Sequence, residues 1–393
     1  MATDPGNAPR DDGHLPATLK GAGSTRSIRP LISVCIPAYN RPDPLRELLE
    51  SIAAQTESDY EILIREDSSP GRLSIRATVD EFRLSHPRIT TRYLENEGNL
   101  GYDGNLRALV DSARGSYCMF MGNDDLVAPG ALGILAVALR AHPETQVVLR
   151  TYATFDSEGR QVVHRYFAEP RFFPPGAESI VTFFRRSIVI SGLCVHRDNS
   201  ADLRTGQFDG TLLYQLYLVG MLMARGPGLS LPEVLALYRL GGSPDFGVSP
   251  VERAYVPGKI TPDSSLAFVR GMLVIAEQVE RQTKLHVYRP IIHDVANYSY
   301  PLLREHAPRP LGKYLPYFGS LLKLGLWRGP PIWAYFFFLA VLGPARSDRV
   351  IERLRTRVKA TPRLGRFSAG RALPRSSRMD EGPDPADGHE GIE

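Results

Sequence analysis

The stretch CMFMGNDDLV (118–127) decides how this chain is read. An apolar run stops at Asn123, Asp124 and Asp125, and apolar sequence resumes at once. Neighbouring carboxylates repel each other and prefer water, so a pair at the end of a buried strand needs a reason. In open parallel sheets, ligands bind outside the carboxyl ends of the strands. Two acids at such an end are placed to hold a cation.

The same pattern recurs on either side of this stretch. LISVCIP (31–37) reads as a buried strand stopped by Pro37. DPLRELLESIAAQT (43–56) sets Leu45, Leu48, Leu49 and Ile52 on one helical face, with Asp43 as its N-cap. YEILIRED (60–67) is a second strand ending in acid. RLSIRATVDEFRLS (72–85) is a second helix with Leu73, Ile75, Val79 and Phe82 apolar. ITTRYLEN (89–96) is a third strand, and GYDGNLRALVDSA (101–113) is a Gly-rich turn running into a helix. SYCMFMGNDD (116–125) is the fourth strand. PGALGILAVALRAH (129–142) is a helix with Pro129 near its first position, and TQVVLRTYATF (145–155) is another strand. Strands alternating with such helices predict βαβ units and an α/β fold. The sheet is expected to be mostly parallel and covered by helices on both faces. The clusters PAYNR (37–41), EDSS (66–69) and NDD (123–125) then converge on one rim.

The loop GNLGYDGN (98–105) spaces its glycines as GxxGxxG and follows the third strand. The dinucleotide fingerprint is GxGxxG after the first. These glycines therefore read as a tight turn and a close backbone approach. The three cysteines, Cys35, Cys118 and Cys194, are far apart and lack metal-ligand spacing. They read as buried, reduced thiols, which fits a cytosolic setting.

In a chain of 393 residues, 43% hydrophobic and 23% charged, there is material for a full core and for two units. The expected divisions are a tail without fixed structure (1–28), a catalytic unit (29–250), a helical region (251–358) and a second tail without fixed structure, basic then acidic (359–393). Residues 1–28 hold no apolar run that would serve as a signal peptide or anchor. A net charge of +4 is too small to argue for nucleic acid, and the basic residues cluster towards the C-terminus. Before that cluster, LPYFGSLLKLGLWRGPPIWAYFFFLAVLGP (315–344) is apolar and aromatic but broken by Lys323, Arg328 and Pro330-Pro331. Its longest clean stretch falls short of the roughly 20 residues a spanning helix needs. It is expected to lie in a membrane interface, with the basic residues beside it meeting anionic headgroups on the cytoplasmic side.

SVCIPAYNR, REDSS, NEGNLGYDGNLRALVDSARGSY and FMGNDD, in that order, resemble the nucleotide-sugar-binding half of family 2 glycosyltransferases over roughly residues 31–245. The resemblance implies a GT-A, Rossmann-like fold and transfer with inversion at the sugar carbon. The family's Asp–any–Asp signature appears here as Asn123-Asp124-Asp125, and its last aspartate normally holds the metal. Carried onto this chain, the resemblance implies that Pro37, Ala38 and Tyr39 border the nucleotide base and that Asp67 accepts a base N–H. It further implies that Asn105 and Arg107 lie near the nucleotide or its phosphates, that Asp124 faces the ribose or sugar, and that Asp125 binds Mg²⁺ or Mn²⁺. Arg239 is expected to meet a phosphate. Asp209 sits where the family's catalytic carboxylate would precede a helix, with Asp245 as the alternative base.

The implied reaction moves a sugar from a nucleotide sugar, UDP-linked by family analogy, to a lipid-linked or cell-surface polysaccharide acceptor. It would take place at the inner face of the cell membrane, with the enzyme peripherally bound. Two other functions use the same rim: a nucleotidyltransferase releasing pyrophosphate, and a sugar-nucleotide-binding protein without catalysis.

Overall fold

The computed structural model describes residues 29–242, 245–307, 309–358 and 370–373. The expected N-terminal tail lies outside these residues. So does the expected C-terminal tail, apart from residues 370–373.

The first half alternates as the periodicity predicts. Strand β1 (Ile32–Ala38) leads to α1 (Pro42–Ala53), β2 (Tyr60–Glu66) to α2 (Arg72–Ser85), and β3 (Thr91–Glu95) to α3 (Gly101–Ser112). The strands β4 (Tyr117–Phe120) and β5 (Leu126–Val127) flank the acidic turn, and α4 (Ala131–Ala141) follows. Three local expectations shift. Pro37 stays inside β1, because the register with β4 ends at Cys35–Phe120 and Pro37 lies beyond it. The N-cap of α1 is Arg41 in the left-handed region, not Asp43, because Pro42 takes the first helical position. Leu73 is exposed, and Thr78 takes its place on the buried face of α2.

The second half adds β6 (Val147–Phe155), β7 (Gln161–His164), β8 (Arg171–Phe173), α5 (Ala177–Phe184), β9 (Cys194–His196), α6 (Arg197–Ala201), α7 (Tyr214–Arg225) and β10 (Gly228–Arg239). One sheet results, in the order β8-β10-β6-β9-β4-β1-β2-β3. Strands β4, β1, β2 and β3 run parallel, as do β6 and β10. Strand β9 is inserted antiparallel to both β4 and β6. The sheet is thus mixed but mostly parallel. Across a register break after Ser230, β10 exchanges partners: its first half pairs with β8 and its second half with β5. That exchange carries the end of β10 onto the acidic turn.

Helices α1, α2 and α4 cover one face of the sheet. The other face is covered by α3, α5 and α7 together with the helices that follow. These are α8 (Pro262–Thr283), α9 (Tyr288–Asn297), α10 (Tyr300–His306), α11 (Leu311–Lys323) and α12 (Pro330–Leu342), with α13 (Pro344–Val358) packed on α12. One apolar cluster runs from Phe120 and Leu149 in the sheet to Leu321, Ile332 and Leu339 in the last helices, so the helical region shares the core of the catalytic unit. The 315–344 stretch forms two helices broken at 324–329, with Pro330 opening the second. Among the described residues no helix is long and apolar enough to cross a membrane. Residues Arg371–Ala372 form a short edge strand, β11, against β8, where a tail without fixed structure was expected.

Candidate functional site

Within the acidic turn, Asp125 is held by neutral donors from distant parts of the chain. Asp125 is buried, and its Oδ1 accepts the Arg239 backbone N–H at 2.8 Å. Its Oδ2 accepts the Ser191 hydroxyl, whose oxygen in turn accepts the Gly122 N–H at 2.9 Å. Burial, and next the neighbouring Asp124, push the Asp125 carboxyl up to about 7 against the pull of these bonds. A Cβ at Gly122 would stand 3.0 Å from Asp125 Oδ2 and 3.3 Å from Asp124 Oδ1, so any larger residue there would crowd both carboxylates.

Asn123 turns the other way. Its amide donates to the carbonyls of Tyr39 and Asn40 at 3.3 and 3.2 Å, fixing the loop that leaves β1. In that loop Asn40 and Arg41 both hold positive φ. The resulting bend aims the Arg41 guanidinium at the Asp124 carboxylate on one side and at Asp245 (3.1 Å) on the other. Asp124 is a quarter exposed and Asp245 is more open. The Tyr39 hydroxyl is pushed up by partial burial and then by Asp245, Asp67 and Glu66, so its ring stands near Asp245 and the two acids at the end of β2.

At the end of β2, Asp67 is buried and accepts from the Asn96 amide at 2.7 Å and the Leu100 N–H at 2.8 Å. Burial raises its carboxyl despite these bonds. Asn105 is buried beside it. Its oxygen accepts from Asn96 at 3.1 Å, and its amide donates to the Arg65 carbonyl at 3.0 Å, tying α3 to β2. Glu66 is fully buried and accepts Ser68 N, Ser69 N and Arg72 Nε, so it shapes the turn into α2. Ala38 is buried with its carbonyl accepting Asp67 N, and Pro37 is half-buried beside it. Together these residues form the floor under Tyr39.

Three expected residues find other partners. Arg107 and Asp209, expected at the phosphates and at the acceptor hydroxyl, pair with each other through two bonds of 2.6 and 2.8 Å. Arg107 stands one helical turn beyond Asp103, away from the rim where α3 begins. Asp103 itself is buried and accepts Leu212 N and Tyr214 N, which caps α7; burial pushes its carboxyl up to about 7. The Arg239 guanidinium donates to the Asp124 carbonyl (2.8 Å) and to the Glu47 carboxylate, where a phosphate was expected.

Sequence reasoning did not single out four residues that build the site. Ser191 lies in SGLCVHRDN (191–199), where a serine before a glycine carries no sign of such a role. Arg41 belongs to PAYNR, where its charge beside the acids was the available signal. Arg150 is fully buried and donates to the carbonyls of Arg186, Val189 and Ser191, bracing the segment that presents Ser191. Glu252 accepts Tyr102 N at 2.7 Å and Gly247 N at 2.8 Å, pinning the segment after Asp245 to the start of α3. Inside a strand or loop, neither residue carries a local sign of such a role.

The donor set suits a hard cation. Both Asp125 oxygens keep lone pairs beyond the bonds described, in a site where burial disfavours uncompensated charge. Among the described residues there is no group of three or more His, Cys, Asp or Glu side chains that could hold a metal. Further oxygen ligands would come from a phosphorylated substrate and water, the usual arrangement for Mg²⁺.

Residues 33–198 match the family model described as Glycosyl transferase family 2. Abequosyltransferase RfbV of Salmonella typhimurium is 40% identical over 111 residues, 28% of this chain and 32% of that protein. O-antigen biosynthesis protein RfbC of Myxococcus xanthus is 30% identical over 200 residues, 49% of this chain and 14% of that protein. The chain thus spans about a third or less of the length of these curated relatives. Among solved structures, residues 1–349 of Staphylococcus aureus TarS in complex with UDP-GlcNAc superpose with a TM-score of 0.53 at 16% identity, covering 86% of this chain and 97% of that one. At that identity the likeness is one of fold.

Proposed function

We propose, from the premise that residues 33–198 are a family 2 glycosyltransferase domain, that the whole chain transfers a sugar from a nucleoside diphosphate sugar to a hydroxyl of a lipid-linked or cell-surface glycan, inverting the anomeric carbon. The observation that carries this reading is Asp125, a buried carboxylate at the sheet rim whose bonds are to a hydroxyl and a backbone N–H. A Mg²⁺ or Mn²⁺ ion held there would stabilise the negative charge that gathers on a departing diphosphate.

The chain's own residues then divide the remaining work. The loop ring of Tyr39 stacks on the base, with Pro37 and Ala38 beneath it. Asp67 accepts a base N–H, and its bonds to Asn96 and Leu100 fix the acceptor oxygens for that contact. Asn105 holds this floor in place from below. Asp124 faces the ribose, turned by Arg41. The acceptor hydroxyl needs a base within about 3 Å of its proton. Asp245 is the better supported candidate, because both oxygens of Asp209 are occupied by Arg107, whereas Asp245 stands at the rim and shares Arg41 with Asp124. Arg107 and Arg239 position neighbouring carboxylates in this reading. The division into a catalytic unit (29–250) and a helical region (251–358) is kept as a functional one, the helical region meeting the inner face of the membrane.

The test is a panel of nucleotide sugars read by metal-dependent thermal shift, followed by product analysis. UDP sugars come first, as the nucleotide in the TarS complex. A donor that binds only the folded chain raises its melting temperature. Asp125→Ala is expected to abolish both the shift and transfer. Asp245→Asn should remove turnover and keep the shift, while Asp209→Asn should keep both in a folded chain. Release of pyrophosphate in place of nucleoside diphosphate would overturn the reading.

A further inference from the structure

Three cations converge on one open hollow of about 450 Å³ between α9 and the turn joining α11 to α12. Arg289 comes from α9, Lys323 from the end of α11 and Arg328 from the turn; Tyr288, Ile292 and Trp327 complete the wall. All three cations are exposed, and among the described residues none of them makes an ion pair. Elsewhere on the surface, arginines such as Arg46, Arg76 and Arg140 each meet a carboxylate. Like charges gathered without an acid raise one another's energy unless an anion joins them. The Arg328 guanidinium lies 4.6 Å from the centre of the Trp327 ring. A Cβ at Gly325, which holds φ 96°, would come within 2.9 Å of it.

The hollow opens beside an apolar stripe. On α12 the residues Trp333, Phe337 and Val341 recur every fourth position and are exposed, with Phe338 beside them. The opposite side of the helix is in the core through Ile332 and Leu339. Stripe and hollow are continuous, since the Trp333 indole N–H donates to the Trp327 carbonyl at 3.4 Å. A free phosphate would use the cations and leave the aromatics in water, at a cost of roughly 25 cal/mol per Å² of apolar surface. Tryptophans and phenylalanines beside basic side chains suit a bilayer surface, where rings enter the interface and cations meet headgroups.

We propose that this hollow binds the phosphate of an anionic lipid headgroup while the Trp333–Phe337–Val341 stripe enters the bilayer interface, so that the helical region docks the enzyme on its acceptor's membrane. The proposal rests on the reading of a membrane-borne acceptor. The chain contains only two tryptophans, Trp327 and Trp333, and both belong to this face, so indole emission reports on it alone.

The test uses the full chain with vesicles of phosphatidylcholine, with and without phosphatidylglycerol, read by co-sedimentation and by indole emission. The expected result is binding and a blue shift with the anionic vesicles. Reversal of the three cations (Arg289→Glu, Lys323→Glu, Arg328→Glu) should weaken partitioning by at least about a hundredfold. Phe337→Ser should weaken it on its own, and nucleotide-sugar hydrolysis in solution should be unchanged in both variants. If the parent chain ignores anionic vesicles, the membrane reading falls and the hollow with it. If the charge-reversed chain binds as the parent does, the hollow is wrong and the membrane reading stands. Two further results overturn the proposal. One is a shift of the emission and a block of vesicle binding by inorganic phosphate alone, which would make the ligand soluble phosphate. Alternatively, a dimer that Phe337→Ser converts to monomer without loss of vesicle binding would make the stripe a contact between two copies. Loss of donor hydrolysis in the parent chain would count against the catalytic reading, which the vesicle measurements do not touch.

Discussion

At the scale of single residues, Asp125 is a carboxylate whose charge burial penalises by more than its bonds offset. Its carboxyl titrates near 7 in the folded chain against 3.8 for a free side chain. The native state therefore binds more protons than the unfolded state between about pH 4 and 7, so this group's contribution to stability falls as pH rises through that window. With a chelator present, Asp125→Asn should raise the melting temperature relative to the parent, by a margin that grows from about pH 4 to pH 7 and is then constant. The same substitution should remove the thermal shift given by Mn²⁺ with UDP, which in the parent grows as pH rises through about 7. Ser191→Ala removes one of the two donors that orient this carboxylate. A hydrogen bond to a charged group is worth roughly 1.5–3 kcal/mol, so metal-dependent nucleotide affinity should drop by about one to two orders of magnitude, measured by titration.

Elements are coupled here by buried polar pairs. Asp294 on α9 accepts from Arg185 at 2.8 Å and from Arg186 at 3.3 Å, in the turn that follows α5. Arg150 holds the same turn from beneath through the Arg186 carbonyl. Removing this carboxylate takes a charged partner from two guanidiniums, that of Arg186 being buried. Asp294→Ala should therefore cost about 3–5 kcal/mol in denaturant unfolding. The junction of α8 and α10 is a second such point. His306 is fully buried, its Nε2 2.8 Å from the Ser265 hydroxyl, and burial lowers its titration to about 4. An unfolded histidine takes its proton near 6.5, so this group's stabilisation is complete above that pH and is lost as pH falls towards 4. Hydrogen exchange in α8 and α10 should quicken over that window, and His306→Gln should flatten the dependence.

For the whole molecule, the helical region is part of the core. Tyr314, Tyr317, Phe318, Leu321, Leu326, Ile332 and Leu339 are all buried. Each such side chain contributes roughly 1.5–3 kcal/mol by leaving water. A chain ending at residue 310 would expose the surface they cover. It should lose cooperative unfolding and soluble yield, checked by calorimetry and size-exclusion chromatography. Membrane docking is therefore better tested by surface substitutions on α12 than by truncation. The apolar 315–344 stretch serves both purposes: one side of α12 closes the core and the other is left for the interface.

The βαβ succession, the rim where three polar clusters meet and the break in the 315–344 stretch were all legible along the chain. Each is a matter of apolar spacing, glycine and proline over a few adjacent residues, and neighbours in sequence carry that information. The partners of Asp125 were not legible. Ser191 is 66 positions away and the Arg239 N–H is 114 away. They reach the carboxylate only because β9 enters antiparallel between β4 and β6 and because β10 changes partners to pair with β5. The pairing of Arg107 with Asp209 is of the same kind, made by the packing of α3 against the segment before α7. A charged side chain's partner is set by which chain segments the core brings within 3 Å, and no periodicity along the sequence encodes that distance.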